Sequence, residues 1–588
     1  MSPARKICFA LIALALTLGL AEGALRLSSR LRNSGRFFIA GPDGRVRFAA
    51  SGTVTSFART KPAGGFRVFC FGESAVEGRI YMPRSSFPRL LEEMLRDRSR
   101  GGAVEVVNCG MTAQNSDRVL ESFRAALAYQ PDLMVVYGGN NEFFRHDRFG
   151  RYRHPYLYRA RVWLGRHSAL AILAKSLAHR LVDSAPGLQL KGSVGVQGPA
   201  FFDDRLRGYI LNGFRKNLED MAAMGRASGV PVLLAVPAIN LAGWPPQRSV
   251  CNLGPEGCRE LAQTLARAEQ AIELGRLDQA RALVEPVLAE EPKNALANFI
   301  AGRLDLAAGD TVGRTAAAER FTTAADEDDF CVARARPAQL KIIAEVSAAS
   351  GLPLLDVQEI FRRRSPAGVV GYELLDDFCH PTLDGQALIA AALAQEISQA
   401  HPELFRPADR DELYSRRAEY LAREPLDPEY LSKRLQEMAF YLAFKFDHPL
   451  ITARALLLLR RQRELYPGSV LLPVVEGLVR LRRAEVERAR AAFERALREN
   501  PGHVGRLADF YFRRFLNWQP PWLWVRAHPG IDFNPILDDY LAQEGPDFLD
   551  RDHADRVYVL TGSTLFDVTT LPPPPRPSRL APEAPGRL

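Results

Sequence analysis

The chain has 588 residues, 47% of them hydrophobic and 25% charged. It is too long for one hydrophobic core, and the usual domain size divides it into roughly three units, while the composition excludes wholesale disorder and a polytopic membrane protein. The net charge is +9, but the basic residues are scattered rather than gathered with interleaved aromatics, so nucleic acid is not an expected partner.

Arg5 and Lys6 precede an apolar run from Ile7 to Leu27 that carries one charge, Glu22, before Leu25. A membrane-spanning helix takes ~20 such residues. Gly19-Leu20-Ala21 also has the small-x-small form that signal peptidase accepts, so a cleavable signal peptide competes with an anchor. Either way the rest of the chain is exported. Arg5 and Lys6 favour a cytoplasmic N-terminus, and Arg26, Arg30, Arg32 and Arg36 oppose it by the positive-inside rule. The expectation is a signal anchor over 1–28, a linker over 29–64, and a single-pass protein of the cell membrane with its bulk on the periplasmic side.

From Phe66 the pattern changes to short apolar runs: FRVFCF, VEVVN, DLMVVYGG, PVLLAVP and, much later, LPLLDV. Helical stretches separate them, which predicts a parallel sheet covered on both faces, a three-layer α/β fold. Ser86-Phe87-Pro88 opens one helix, PRLLEEMLRDR, and Ser116 is expected to cap another, DRVLESFRAALA.

The α/β pattern over 65–253 resumes at 331–402. Between them, 254–330 reads as helical, with Ala268, Ala280, Val284 and Pro292 at tetratricopeptide spacing and Gly302, Ala317, Phe321 and Ala324 as a second, stretched copy. A clearer repeat falls within 403–517. There Ala443, Phe446, Ala455, Leu459 and Pro467 recur as Gly477, Ala489, Phe493, Ala496 and Pro501, the pairs Ala455/Ala489 and Pro467/Pro501 each being about 34 apart. A generic array of helical hairpins is the bland alternative. Both stretches are read as all-α tetratricopeptide-like repeats, one an insertion and one a C-terminal domain, with a protein partner as their expected ligand.

Arg151 to Arg180 is apolar on one side and basic on the other, as suits a helix packed on the sheet or, less often, one lying on a membrane surface. Residues 518–570 form a C-terminal extension, and 571–588 a proline-rich tail expected to be disordered.

Seven cysteines, at 8, 70, 109, 251, 258, 331 and 379, include no C-x-x-C pair. Neither a zinc site nor a dense disulfide framework is indicated, and only Cys251 and Cys258 stand close enough in a loop-like stretch to suggest a bridge. No H-E-x-x-H or H-x-H occurs, and His146, His154, His167 and His179 read as surface or core residues, so no metal or other cofactor is expected.

Reactive groups collect at the strand ends. The first run ends in Phe71-Gly72-Glu73-Ser74, which is not a G-x-S-x-G elbow. The second ends in Asn108-Cys109-Gly110, the third in Gly138-Gly139-Asn140-Asn141-Glu142, and the fifth is followed by Asp377-Phe378-Cys379-His380-Pro381-Thr382. Taken singly, each has a mundane reading: Ser74 or His380 as a helix cap, Gly110 as a turn glycine, Asn141 as a loop residue bonding its own backbone. Together, in this order and over residues ~66–400 without the insertion, they resemble the SGNH (GDSL-like) hydrolase superfamily, whose four blocks supply a serine, a glycine, an asparagine and an Asp-x-x-His pair.

The resemblance implies a flavodoxin-like SGNH domain in which Ser74 is the nucleophile, His380 its base and Asp377 the orienter of the imidazole. The implied oxyanion hole is the N–H of Ser74, the N–H of Gly110 and the amide of Asn141, with Asn140 the second choice because the asparagine is doubled. Glu73 and Glu142 stand where the family has aspartates, a departure that bears on substrate preference more than on mechanism. The implied activity is two-step acyl transfer from an ester, rising through an apparent pKa near that of histidine, ~6.5. Export points to carbohydrate O-acyl groups of the cell envelope, lipids or small esters. The alternatives are an O-acyltransferase using the same triad, and a non-catalytic envelope scaffold in which the repeats bind partners.

Overall fold

The computed structural model describes residues 37–50, 55–81, 85–143, 204–247, 249–328, 334–423, 425–445, 448–469, 472–483 and 485–499, with short pieces at 16–23, 25, 164, 168, 170, 173, 559–560 and 566–567. The chain starts with three short strands, β1 (Phe38–Ala40), β2 (Arg45–Phe48) and β3 (Ser56–Ala58). Next come β4 (Phe66–Gly72), α1 (Ser74–Glu77), α2 (Phe87–Arg98), β5 (Val104–Gly110), α3 (Ser116–Ala126) and β6 (Leu133–Tyr137). After α4 (Asp204–Ser228) and β7 (Val232–Val236), the sheet is interrupted by α5 (Gly254–Glu273), α6 (Leu277–Glu290), α7 (Ala295–Ala308) and α8 (Thr311–Glu327). It resumes through α9 (Pro337–Ser350), β8 (Leu354–Asp356), α10 (Val357–Arg364) and α11 (Leu383–Ala400). Six helices follow: α12 (Arg410–Ser415), α13 (Arg417–Arg423), α14 (Pro428–Lys445), α15 (Pro449–Leu465), α16 (Leu472–Arg482) and α17 (Val486–Glu499).

The five apolar runs form one parallel sheet in the order β5-β4-β6-β7-β8. Their alternating side chains divide between two cores. Val68, Cys70, Val106, Val135 and Leu233 join α2 and α11 on one face, while Phe69, Phe71, Val107, Val136 and Leu234 join α3, α4 and α9 on the other. This is the three-layer α/β arrangement expected from runs too continuously apolar to leave either face in water. The chain leaves β4 for β5 on one side and reaches β6 on the other, so the topological switch point, where such sheets hold ligands, lies beyond the carboxyl end of β4. Gly72 pairs with Gly110 and with Tyr137, which brings the three strand ends level there.

Two expected boundaries are corrected. Within 29–64, read as a linker, β1–β3 form a small antiparallel sheet that buries Phe38, Phe48 and Phe57 against Phe69. Strands of three and four residues are too short to show a period in sequence. The buried Arg67 ties this sheet down, donating to Ala58 O at 2.8 Å and to Glu105 Oε2 at 2.6 Å. The α/β domain also runs past residue 402: Phe405, Leu413 and Tyr420 belong to its core, and Arg416 pairs with Asp97 at 3.1 Å.

The helical segments pack in successive pairs, α5 with α6, α7 with α8, α14 with α15, and α16 with α17. Positions read as repeat signals, Ala268, Ala280, Val284, Ala317, Phe321, Ala324, Ala443, Ala455, Leu459, Ala489 and Ala496, are buried. Small residues there let the helices of a pair approach closely. Cys251 and Cys258 form the disulfide and sit in the core of the insertion. Among the described residues no helix is long and apolar enough to cross a membrane. Most of the expected 1–28 anchor, most of the Arg151–Arg180 segment, Phe446, Pro501, nearly all of 518–570 and the 571–588 tail lie outside the described residues.

Candidate active site

β4 ends at Gly72, Glu73 is the N-cap, and the chain turns at once into α1, whose first residue is Ser74. Gly72 is required by contact, since a Cβ there would lie 1.9 Å from Tyr137 O. On the far side of the sequence, Leu374–Thr382 folds back on itself: Asp376 N donates to His380 O at 2.8 Å, and Thr382 N donates to Leu374 O at 2.9 Å. The cap of α11 is Thr382, whose Oγ1 accepts from Gly385 N, so His380 is left free of capping.

This hairpin brings His380 Nε2 to 2.7 Å from Ser74 Oγ across 306 positions, and His380 Nδ1 to 2.6 Å from Asp377 Oδ2. Ser74 and His380 are nearly buried and Asp377 fully so. Because an ionised carboxylate only accepts, Nδ1 is the nitrogen that carries the proton, and Nε2 presents its lone pair to the serine hydroxyl. Burial pushes the Asp377 carboxyl up. The charge and hydrogen bond of His380 and the backbone N–H groups of Cys379 and His380 outweigh it and hold the group below its ordinary value. Among the described residues, Asp377, Cys379 and His380 also form the one grouping with metal-ligand spacing, but both imidazole nitrogens are taken by Ser74 and Asp377.

One donor carried over by resemblance is otherwise engaged. Gly110 N donates to Asn108 Oδ1 at 2.9 Å and is not free, which corrects the expectation that it serves an oxyanion. Its own requirement is steric: a Cβ at Gly110 would lie 2.1 Å from Glu77 N of α1. In the loop beyond, Ala113 takes a left-handed φ of +55°, and its N–H has no acceptor among the described residues. The Asn140 and Asn141 side-chain amides both have a buried Nδ2 without a partner. Asn140 is tethered, its Oδ1 accepting from Ala335 N at 3.1 Å.

Three glutamates tie the strand-end loops together. Glu73 accepts from Gly139 N at 2.8 Å, Glu77 from Thr112 N at 3.1 Å, and Glu142 from Ser116 N at 2.7 Å and Ser116 Oγ at 2.8 Å. Ser116 is therefore not the cap of α3, as expected; that position is Asn115. Burial pushes Glu73 up to about 7 against the N–H groups of Gly139 and Asn140. Burial, reinforced by the charge of Glu73, pushes Glu142 up to about 8. Asn240 and Trp244 were missed as well. They follow β7, where Asn240 Nδ2 donates to Asp377 O at 2.9 Å and Trp244 packs edge-on against Phe378, bracing the hairpin from the next strand end.

No protein-family model and no curated protein matches the chain. Among solved structures it is similar to a lipase/acylhydrolase from Enterococcus faecalis, at 15% identity over 58% of this chain and 99% of that one, with a TM-score of 0.26. It is also similar to a GDSL-like lipase from Bacteroides thetaiotaomicron (12%, 58% and 93%, TM-score 0.26) and to an acetylxylan esterase from Geobacillus stearothermophilus (10%, 58% and 96%, TM-score 0.25). The fold stands on its own strand order and register, independently of these likenesses.

Proposed function

We propose that the protein is a serine hydrolase of the SGNH type acting on ester bonds, with Ser74 as nucleophile, His380 as base and Asp377 as orienter. The observation that carries the reading is the 2.7 Å approach of Ser74 Oγ to His380 Nε2, with Asp377 behind the ring. Such an array has one use in acyl transfer. As Ser74 Oγ attacks the ester carbonyl, its proton passes to Nε2. The C–O bond to the alcohol then breaks and the leaving oxygen takes that proton, giving an acyl-serine. Water, losing a proton to Nε2, attacks the acyl-serine; the acyl–Oγ bond breaks, Oγ takes that proton back from Nε2, and the acid leaves. The N–H of Ser74 and the amide of Asn141 are the donors for the oxyanion; Asn141 is preferred to Asn140 because the latter is tethered to Ala335.

Location and partners belong to the same reading. The apolar run from Ile7 to Leu27 supports a single-pass anchor with the bulk outside the cytoplasm, and the disulfide between Cys251 and Cys258 suits an oxidising compartment. Substrates would then be envelope esters, carbohydrate O-acyl groups first. The paired helices of the insertion and C-terminal region are read as tetratricopeptide-like docking surfaces for a protein partner.

The test is hydrolysis of p-nitrophenyl acetate by the full-length chain. Wild type is expected to turn over, and Ser74→Ala and His380→Ala to lose at least about 10³-fold in kcat/KM. A folded wild type that releases no nitrophenol above the Ser74→Ala background contradicts the proposal.

A further inference from the structure

Asp376, immediately before Asp377, is fully buried and takes no part in the proton path. Its carboxylate is where three segments meet. From the stretch after α1, the buried Tyr81 donates its hydroxyl to Asp376 Oδ2 at 2.5 Å. From α15, in the C-terminal helices, Arg454 Nη2 donates to Asp376 Oδ1 at 3.1 Å. The third segment is the hairpin itself, whose Asp376 N–H closes on His380 O. The Arg454 guanidinium also lies over the ring of Tyr372, two residues before the hairpin begins, at 4.8 Å.

The backbone supplies an independent sign that this junction is built. Ile80, a buried β-branched residue, is held at φ +90°, a region such residues avoid. Strain of that kind persists only where the surroundings enforce it, and here it accompanies the turn that sends the next side chain, Tyr81, inward to Asp376. Arg454 also answers an electrostatic need. Two adjacent buried carboxylates, Asp376 and Asp377, repel one another, and burial pushes Asp376 up while Arg454, Tyr81 and Arg461 pull it down.

We infer that Arg454 is a positioning residue of the proposed hydrolase, acting through Asp376 to fix the spacing between the Ser74 segment and the hairpin that carries Asp377 and His380. The inference rests on the hydrolase reading and extends it: the site is finished only when the helical pair α14–α15 is docked. Without the guanidinium, Asp376 is a buried charge that has lost the cation bonded to it; it takes up a proton or admits water, and either change re-aims Tyr81 and the hairpin. A shift of about 1 Å in such a pair costs on the order of 10²-fold in rate.

The experiment compares full-length wild type with R454M, R454K, D376N and the R454M/D376N double variant. The readouts are p-nitrophenyl acetate kinetics, thermal unfolding, and amide hydrogen exchange over 74–81 and 374–382. R454M is expected to lower kcat about 10- to 100-fold with KM changed less than about threefold. R454K should recover part of the loss, the double variant should be no slower than the slower single variant, and exchange should quicken in both segments. R454M within about twofold of wild type, or losses that multiply in the double variant, overturns the inference. Should R454M fail to fold, R454K and D376N decide it through the same kinetics. If wild type shows no Ser74-dependent turnover the hydrolase reading falls, and exchange still judges the junction: unchanged rates in R454M over both segments refute it.

Discussion

Glu73 and Glu142 transfer no proton in the proposed reaction, yet they border the amides that would hold the oxyanion. Each accepts from the backbone of a neighbouring loop. Their raised values carry a stability consequence. Below about pH 4.5 both are protonated folded or unfolded, and the folded state has its full advantage. As pH climbs toward 7 and then 8 the unfolded chain ionises first, so stability declines until the folded groups ionise too. The thermal midpoint should therefore fall between pH 5 and 8, and a Glu73→Gln/Glu142→Gln variant should show a shallower fall; equal slopes would contradict the assignment. At the oxyanion, Asn141→Ala should cost about 10²–10³ in kcat. Asn140→Ala should instead show mainly as lost stability, about 1 kcal/mol for the Ala335 bond, measured by denaturant unfolding. Ser74 follows the end of β4 and Asp377 and His380 follow β8 and α10, an order recognisable in sequence, and the structure brings these three side chains together. Gly110 misled because its motif fixes where the glycine lies and not what its N–H bonds.

Secondary elements were legible to the extent that their periodicity ran long enough. The core strands β4, β5, β6 and β7 and the helices α2 and α11 follow from largely apolar stretches of five or more residues or from a full amphipathic turn count, whereas β8, three residues long, is marked only by the short LPLLDV stretch. The β1–β3 sheet failed that criterion, although its aromatics give it a firm place: Phe57 packs edge-on to Phe69 at 5.4 Å and lies under Arg67 at 5.1 Å. Phe57→Ala should destabilise the α/β domain by about 3–5 kcal/mol, as for a buried aromatic in a core. A loss below about 1 kcal/mol in denaturant unfolding would mean that this sheet is an appendage, as the linker reading had it. The helices α12 and α13 escaped notice for another reason. They were grouped with the repeats by proximity in sequence, whereas Tyr420 and Leu413 pack into the sheet's own core.

Across the whole molecule, the insertion, the start of α15 and the triad hairpin are linked by local contacts. His448, at the start of α15, approaches Glu269 of the insertion at 3.0 Å, and Leu450 packs beside Phe299, Ala317 and Val369. The same helix reaches Asp376 through Arg454, so the insertion, the C-terminal helices and the triad hairpin are joined in one continuous set of contacts. Sequence order hides such joins, because residues 269, 376 and 454 carry no shared motif and meet only through tertiary packing. The proposed anchor makes a prediction at this scale: the full-length chain should stay with membranes through alkaline carbonate extraction while its bulk is digested by protease added outside the cytoplasmic membrane. Protein released by carbonate would instead indicate cleavage after the apolar run. The account's central claim, that Ser74 and His380 act together on an acyl group, is tested most directly by mapping a fluorophosphonate adduct by mass spectrometry. The adduct is predicted on Ser74 in wild type and nowhere in His380→Ala; an adduct elsewhere, or none on a folded wild type, would contradict it.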